Sequence, residues 1–101
     1  MSVTVLGKPA CVQCNGTYRH LDKNIKEHGS LEGYDKIDMS QEVEALEFAR
    51  SLGHGQAPVV IVTEQPIVDG DYASAVILDH WAGYNPGKID KHSKPVPEVV
   101  A

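Results

Sequence analysis

The chain has 101 residues, 42% hydrophobic and 23% charged, which is room for one core and the composition of a globular protein rather than a disordered tail. Nine Lys and Arg against fourteen Asp and Glu leave a net charge of −5, with no basic cluster denser than Lys23/Lys26, and this argues against a nucleic-acid-binding face. No apolar run approaches the roughly 18 residues of a membrane span, and the start Met1-Ser2-Val3-Thr4-Val5-Leu6 lacks a signal-peptide pattern, so a cytoplasmic protein is expected.

Val3–Leu6 is short, apolar and β-branched and stops at Gly7 and Pro9, which predicts a buried strand. From Cys11, the residues Cys14, Tyr18, Leu21 and Ile25 recur along one helical face that ends near His28, with Gly29 just past the end. Tyr34–Met39 predicts a second strand. Ser40 is the expected N-cap of a second helix, whose buried face is Ala45, Phe48, Ala49 and Leu52 and whose end is marked by Gly53 and Gly55. Pro58 opens the run Val59–Val62, continuous as in a strand covered on both faces, and Ala75–His80 is its expected partner. The connection 63–74 between them is long for a hairpin. Asn85-Pro86 suits the cap and first residue of a short helix through Ile89, and residues 91–101 read as a flexible tail behind a domain of residues 1–90. The order β-α-β-α-β-β-α predicts an α/β fold, a mixed four-stranded sheet with helices on both faces.

Both cysteines lie in Cys11-Val12-Gln13-Cys14, directly after the first strand and at the start of the first helix. There the helix dipole and unpaired backbone N–H groups stabilise an anion, so the Cys11 thiol is expected to ionise more readily than a free one. Cys14, one turn further in, is close enough to bridge to it, the arrangement of a dithiol that exchanges with substrate disulfides. A zinc half-site and an inert pair are the competing readings. Zinc lacks further ligands at the usual spacing among His20, His28, His54, His80 and His92, and structural disulfides are rare in cytosolic chains. Lys8 reads either as a source of positive potential near the sulfur or as an ordinary solvated lysine. Pro58, at the start of a buried strand, leaves a cis or a trans bond open, and Trp81 alone reads equally as a core aromatic.

Three segments carry a resemblance: Lys8-Pro9-Ala10-Cys11-Val12-Gln13-Cys14, Ala57-Pro58-Val59-Val60 and Trp81-Ala82-Gly83-Tyr84-Asn85-Pro86. Through them, over roughly residues 3–90, the chain resembles the thioredoxin superfamily and, within it, the NrdH-type redoxins. These are glutaredoxin-like proteins that donate electrons to class Ib ribonucleotide reductase. The Val12-Gln13 pair is the NrdH-like choice, while Ala82, Tyr84, Asn85 and Gly87 depart from the family's last segment. The resemblance implies a thioredoxin fold, with Cys11 as attacking thiolate, Cys14 as resolving thiol and a cis bond before Pro58. It also implies a redox-active Cys11–Cys14 disulfide with no bound cofactor, NADPH being used indirectly through thioredoxin reductase. The expected client is the large subunit of ribonucleotide reductase, and the expected form is a monomer. Lys8, Val12, Gln13, Ala57, Pro58, Trp81 and Tyr84 are the expected partner-binding residues. The alternatives are a glutathione-dependent glutaredoxin, a general protein disulfide reductase and a non-catalytic binding module with Trp81 and Tyr84 as its apolar patch.

Overall fold

The computed structural model describes residues 1–95. Its elements are β1 (Ser2–Gly7), α1 (Val12–His28), β2 (Asp35–Asp38), α2 (Val43–Ser51), β3 (Val59–Thr63), β4 (Ile77–Ala82) and α3 (Pro86–Ser93). The expected β-α-β-α-β-β-α order holds. The strands form one mixed sheet in the order β2-β1-β3-β4, with β1 parallel to β2 and the other two pairings antiparallel.

The two central strands explain why the apolar runs are continuous. Val5 pairs with Val60 and Val3 with Val62, and these four face one core with Leu21, Leu31, Trp81 and Ile89. Leu6 pairs with Val59, and with Ile61 they face the opposite core with Met39, Ala45 and Ala49. Each strand therefore buries both sets of its alternating side chains, and a one-residue slip in register would exchange them between two differently shaped cores.

The helices follow the sequence in most details. Gly29 adopts φ +65° and its N–H closes α1 on the Ile25 carbonyl at 3.0 Å. Asn85 caps α3, its side chain accepting the Lys88 N–H at 3.1 Å.

Strand β2 is shorter than expected, Asp35–Asp38, β4 runs on to Ala82, and three further boundaries differ for local reasons. Ser40 does not cap α2, because its N–H and hydroxyl both bond to Asp38 Oδ1, at 2.8 and 2.5 Å. With that hydroxyl turned back to β2, the chain makes a further turn through Gln41 and starts α2 from Glu42, which offers no side-chain cap. Strand β4 begins at Ile77 rather than Ala75, because the Ala75 N–H closes a turn on the Tyr72 carbonyl at 3.2 Å. Helix α3 runs past Ile89 to Ser93, so the start of the expected tail is helical; residues 96–101 lie outside the described residues. The added turn is held by the fully buried Asn24 of α1, which donates to Asp90 at 2.9 Å and to Ser93 at 2.8 Å.

Asp79 on β4 fastens the other side of α3, accepting from Lys88 Nζ at 2.8 Å and His92 Nε2 at 2.9 Å. Burial alone would raise its carboxyl, but the hydrogen bonds from Lys88, His92 and the His80 backbone outweigh burial and hold it well below the usual carboxylate range. A depressed folded value means that the stabilisation is complete above about pH 4 and is lost as pH falls below it. Asp79→Asn is expected to cost about 1–3 kcal/mol in urea unfolding at neutral pH. The gap from the unaltered protein should narrow at about pH 3; an equal gap at both conditions contradicts this account.

Candidate active site

β1 ends at Gly7, and the exposed loop Lys8-Pro9-Ala10 turns the chain into α1. Ala10 has φ +53°, a left-handed conformation uncommon for a residue with a Cβ, and it delivers Cys11 to the helix N-cap. Cys11 has the extended backbone of a cap, and its sulfur accepts the Cys14 backbone N–H at 3.1 Å. A sulfur thus stands where a Ser or Asp oxygen commonly satisfies an orphan first-turn donor. Cys11 and Cys14 form a disulfide with Cα atoms 5.2 Å apart. Cys11 remains 7% exposed and Cys14 is fully buried.

Gly7 has a second role beyond ending β1. A Cβ there would overlap the Tyr18 hydroxyl and stand 3.5 Å from Cys14 Sγ, so the strand end must be bare for α1 to dock with its inner sulfur against it.

Two further segments meet the dithiol. The Ala57–Pro58 peptide is cis, and the Pro58 carbonyl accepts the Gly83 N–H at 2.8 Å. The Gln13 side-chain oxygen accepts the Tyr84 N–H at 3.0 Å. Gly83, at φ +81°, leaves room for that contact, since a Cβ would stand 2.9 Å from the same oxygen. Residues 11–14, 57–58 and 83–84 are therefore linked by backbone-directed hydrogen bonds.

The Tyr84 segment is anchored in turn to the helices. The Tyr84 hydroxyl lies 2.8 Å from His20 Nδ1, and His20 Nε2 lies 2.8 Å from Asp90. In the neutral ring, the Asp90 carboxylate selects the Nε2–H tautomer, which leaves Nδ1 to accept from Tyr84. Hydrogen bonds from Asn24 and His20 hold the Asp90 carboxyl below its ordinary value.

Beside Cys11 lies a groove of about 560 Å³, walled by Lys8, Val12, Met39, Leu46, Gln56 and Ala57. Val12 is 83% exposed at its lip. Of the expected partner-binding residues, Lys8, Val12, Gln13 and Ala57 line the groove beside Cys11, and Pro58 and Tyr84 join them through the Gly83 and Gln13 hydrogen bonds. Trp81 does not. It is only 6% exposed, stacks on His92 at 5.8 Å and packs into the core with Val60 and Ile89, because its register against Val60 turns it to the α1–α3 side of the sheet. Gln13 is exposed, but its amide oxygen is already used within the chain.

His20, Met39, Leu46, Gln56 and Gly83 are site residues that sequence reasoning missed. Only Gly83 left a signal, a glycine inside a quoted motif, whereas Met39, Leu46 and Gln56 reach the groove, and His20 the Tyr84 hydroxyl, through tertiary packing. Among the described residues, no group of three or more His, Cys, Asp or Glu side chains is placed to hold a metal ion, and no helix is long and apolar enough to cross a membrane.

No protein-family model and no curated protein matches the chain. Among solved structures it is similar to the glutaredoxin-like protein NrdH-redoxin from Escherichia coli, described as having a thioredoxin-like activity profile. The match has 26% identity and a TM-score of 0.64, and covers 96% of this chain and 100% of that one. It is also similar to mitochondrial thioredoxin 3 of Saccharomyces cerevisiae, at 16% identity and TM-score 0.61, covering 90% of this chain and 74% of that one. Fasciola hepatica thioredoxin matches at 22% identity and TM-score 0.55, with 90% and 81% covered. The chain has the thioredoxin fold and resembles the NrdH redoxins. With its helix-capping Cys-x-x-Cys disulfide, it is a thiol–disulfide oxidoreductase.

Gly83→Ala is expected to destabilise the fold by about 1–3 kcal/mol, through its positive φ and the clash with Gln13. It should also slow insulin disulfide reduction. Unchanged stability and rate would show that the Gln13–Tyr84 link is dispensable.

Proposed function

We propose that this thiol–disulfide oxidoreductase is an electron donor of NrdH-redoxin type, reduced by thioredoxin reductase at the expense of NADPH and oxidised by the large subunit of class Ib ribonucleotide reductase. The observation that carries the reading is the asymmetry of the dithiol at the helix cap: the Cys11 sulfur is open to the groove and the Cys14 sulfur is not. The Val12-Gln13 pair between the cysteines and the likeness to NrdH-redoxin support the choice of client.

In the forward half-reaction, the Cys11 thiolate attacks one sulfur of the client disulfide. A mixed disulfide forms and the other client sulfur leaves as a thiolate. Cys14 then gives up its proton, and its thiolate attacks Cys11 Sγ. The intramolecular disulfide forms, and the second client sulfur departs. Two electrons pass to the client, and two protons complete its dithiol. Burial of Cys14 restricts first attack to Cys11, and the Cys14 N–H directed at Cys11 Sγ favours the anionic sulfur, both as nucleophile and as leaving group. A cytoplasmic setting, where NADPH and thioredoxin reductase keep thiols reduced, is part of this proposal.

The groove supports a protein reductant over glutathione. Glutathione has two carboxylates to be recognised, and Lys8 is the single cation among the described residues of the groove walls. Val12, Met39, Leu46 and the half-buried Ala57 instead give the groove beside Cys11 apolar walls of the kind that protein partners cover.

The deciding experiment follows reduction of the oxidised protein by NADPH with thioredoxin reductase and, separately, by glutathione with glutathione reductase. The reduced protein is then supplied to a class Ib ribonucleotide reductase. Thioredoxin reductase is expected to be much the faster, with nucleotide reduction following. Faster glutathione would reassign the protein as a glutaredoxin. Thioredoxin reductase activity without nucleotide reduction would leave a general disulfide reductase, and no turnover with any of them would leave a binding module.

A further inference from the structure

The connection from Glu64 to Val76 takes no part in the dithiol site, yet its path is tightly specified. The Asp71 N–H donates to Val68 at 3.0 Å and the Tyr72 N–H to Gly70 at 2.9 Å. Asp69 and Gly70 both hold positive φ, +50° and +71°. These turns lay the Tyr72 ring on Phe48 of α2, with centroids 4.6 Å apart. Between this connection, the first turn of α2 and edge strand β2 lies a pocket of about 530 Å³.

Five carboxylates border the pocket: Asp35, Asp38, Glu42, Glu44 and Asp69. None makes an ion pair with a Lys, Arg or His among the described residues. Lys36 is the one cation among the described residues of the wall, and its ammonium is occupied 4.6 Å from the centroid of the Tyr18 ring. The N-terminus of α2 offsets part of the charge on Glu44, but the rest is left to repel itself.

An independent observation concerns the neutral part of the wall. Thr4 of β1 is 1% exposed, its hydroxyl makes no hydrogen bond, and it lines this pocket. Strand alternation places Thr4 on the same side of β1 as Leu6, the side that α2 and Tyr72 cover, and there Thr4 lines the pocket. A buried hydroxyl without a partner is costly, and this one has free lone pairs beside an excess of negative charge. Tyr72 adds a polar edge and a π face. Burial, with Glu42 and Glu44 nearby, raises its phenol and keeps it neutral.

The carboxylates do not converge on one point as they would around a metal ion. Several carboxylates on one wall without a metal-type cluster suit a planar cation with several diverging donors. We propose that this pocket is a binding site for a guanidinium group, whose N–H donors are shared between the wall carboxylates and the Thr4 hydroxyl, with the Tyr72 ring against it. The cation is either a free alkylguanidine or an arginine side chain of a partner.

NMR titration of the oxidised 101-residue chain with agmatine, with N-acetyl-arginine amide and with magnesium chloride at matched ionic strength tests the proposal. Saturable shifts at Thr4, Glu44, Gly70 and Tyr72 are expected with a guanidinium compound and not with magnesium. Tighter binding of agmatine points to a free ligand, and tighter binding of the arginine amide to a partner. Glu44→Gln and the near-isosteric Thr4→Val should each weaken binding about tenfold, the loss of one charge-assisted hydrogen bond. Glu27→Gln, exposed at the far end of α1, should leave it unchanged. Circular dichroism verifies that each variant folds, and Thr4→Val keeps the test valid if Glu44→Gln loosens α2. Non-saturable shifts, shifts reproduced by magnesium, or unchanged affinity in both pocket variants overturn the proposal.

Discussion

The hydrogen bond from the Cys14 backbone N–H to Cys11 Sγ, at 3.1 Å, is the contact on which the site depends. A helix leaves its first N–H groups unsatisfied, and in most proteins an oxygen side chain accepts one of them. Here the accepting atom is the reactive sulfur. Capping the helix and stabilising the reactive anion therefore become one interaction, so the start of α1 and the chemistry of Cys11 cannot be altered separately.

The rest of the fold fixes where that cap sits. Two differently composed cores, one on each face of the sheet, define the register of β1 and β3 and hence the position of Gly7 at the foot of the dithiol. Gly7 gives Cys14 a bare surface to pack against. Above it, Gln13 and the Pro58 carbonyl hold the Gly83–Tyr84 backbone, and Tyr84 is tied through His20 to Asp90 on α3. Rigid support of this kind is what lets a short loop hold two sulfurs in an exchange-competent geometry.

The order of elements, the dithiol and the cap of α3 were legible in the sequence because they are local. Cys11 and Cys14 lie one helical turn apart, Asn85-Pro86 is a cap pair, and the runs Val3–Leu6 and Val59–Val62 carry their own burial pattern. What was not legible depended on competition or on distance in sequence. The cap expected of Ser40 failed because Asp38, two residues earlier, is the nearer partner for its hydroxyl. Trp81 alone read equally as a core aromatic and was expected at the docking face only through the resemblance of its motif; strand alternation against Val60 turns it inward. The acidic pocket was invisible for a third reason. Its wall joins Thr4, Glu44 and Tyr72, which are far apart in the chain and share no local pattern.

Disulfide exchange at this site requires Cys11, and not Cys14, to be the accessible and anionic sulfur of the reduced protein. Alkylation of the fully reduced chain by iodoacetamide near neutral pH, followed in time by peptide mapping, reads this directly. Cys11 is predicted to be modified first, with Cys14 lagging far behind. Equal rates, or faster modification of Cys14, would contradict it.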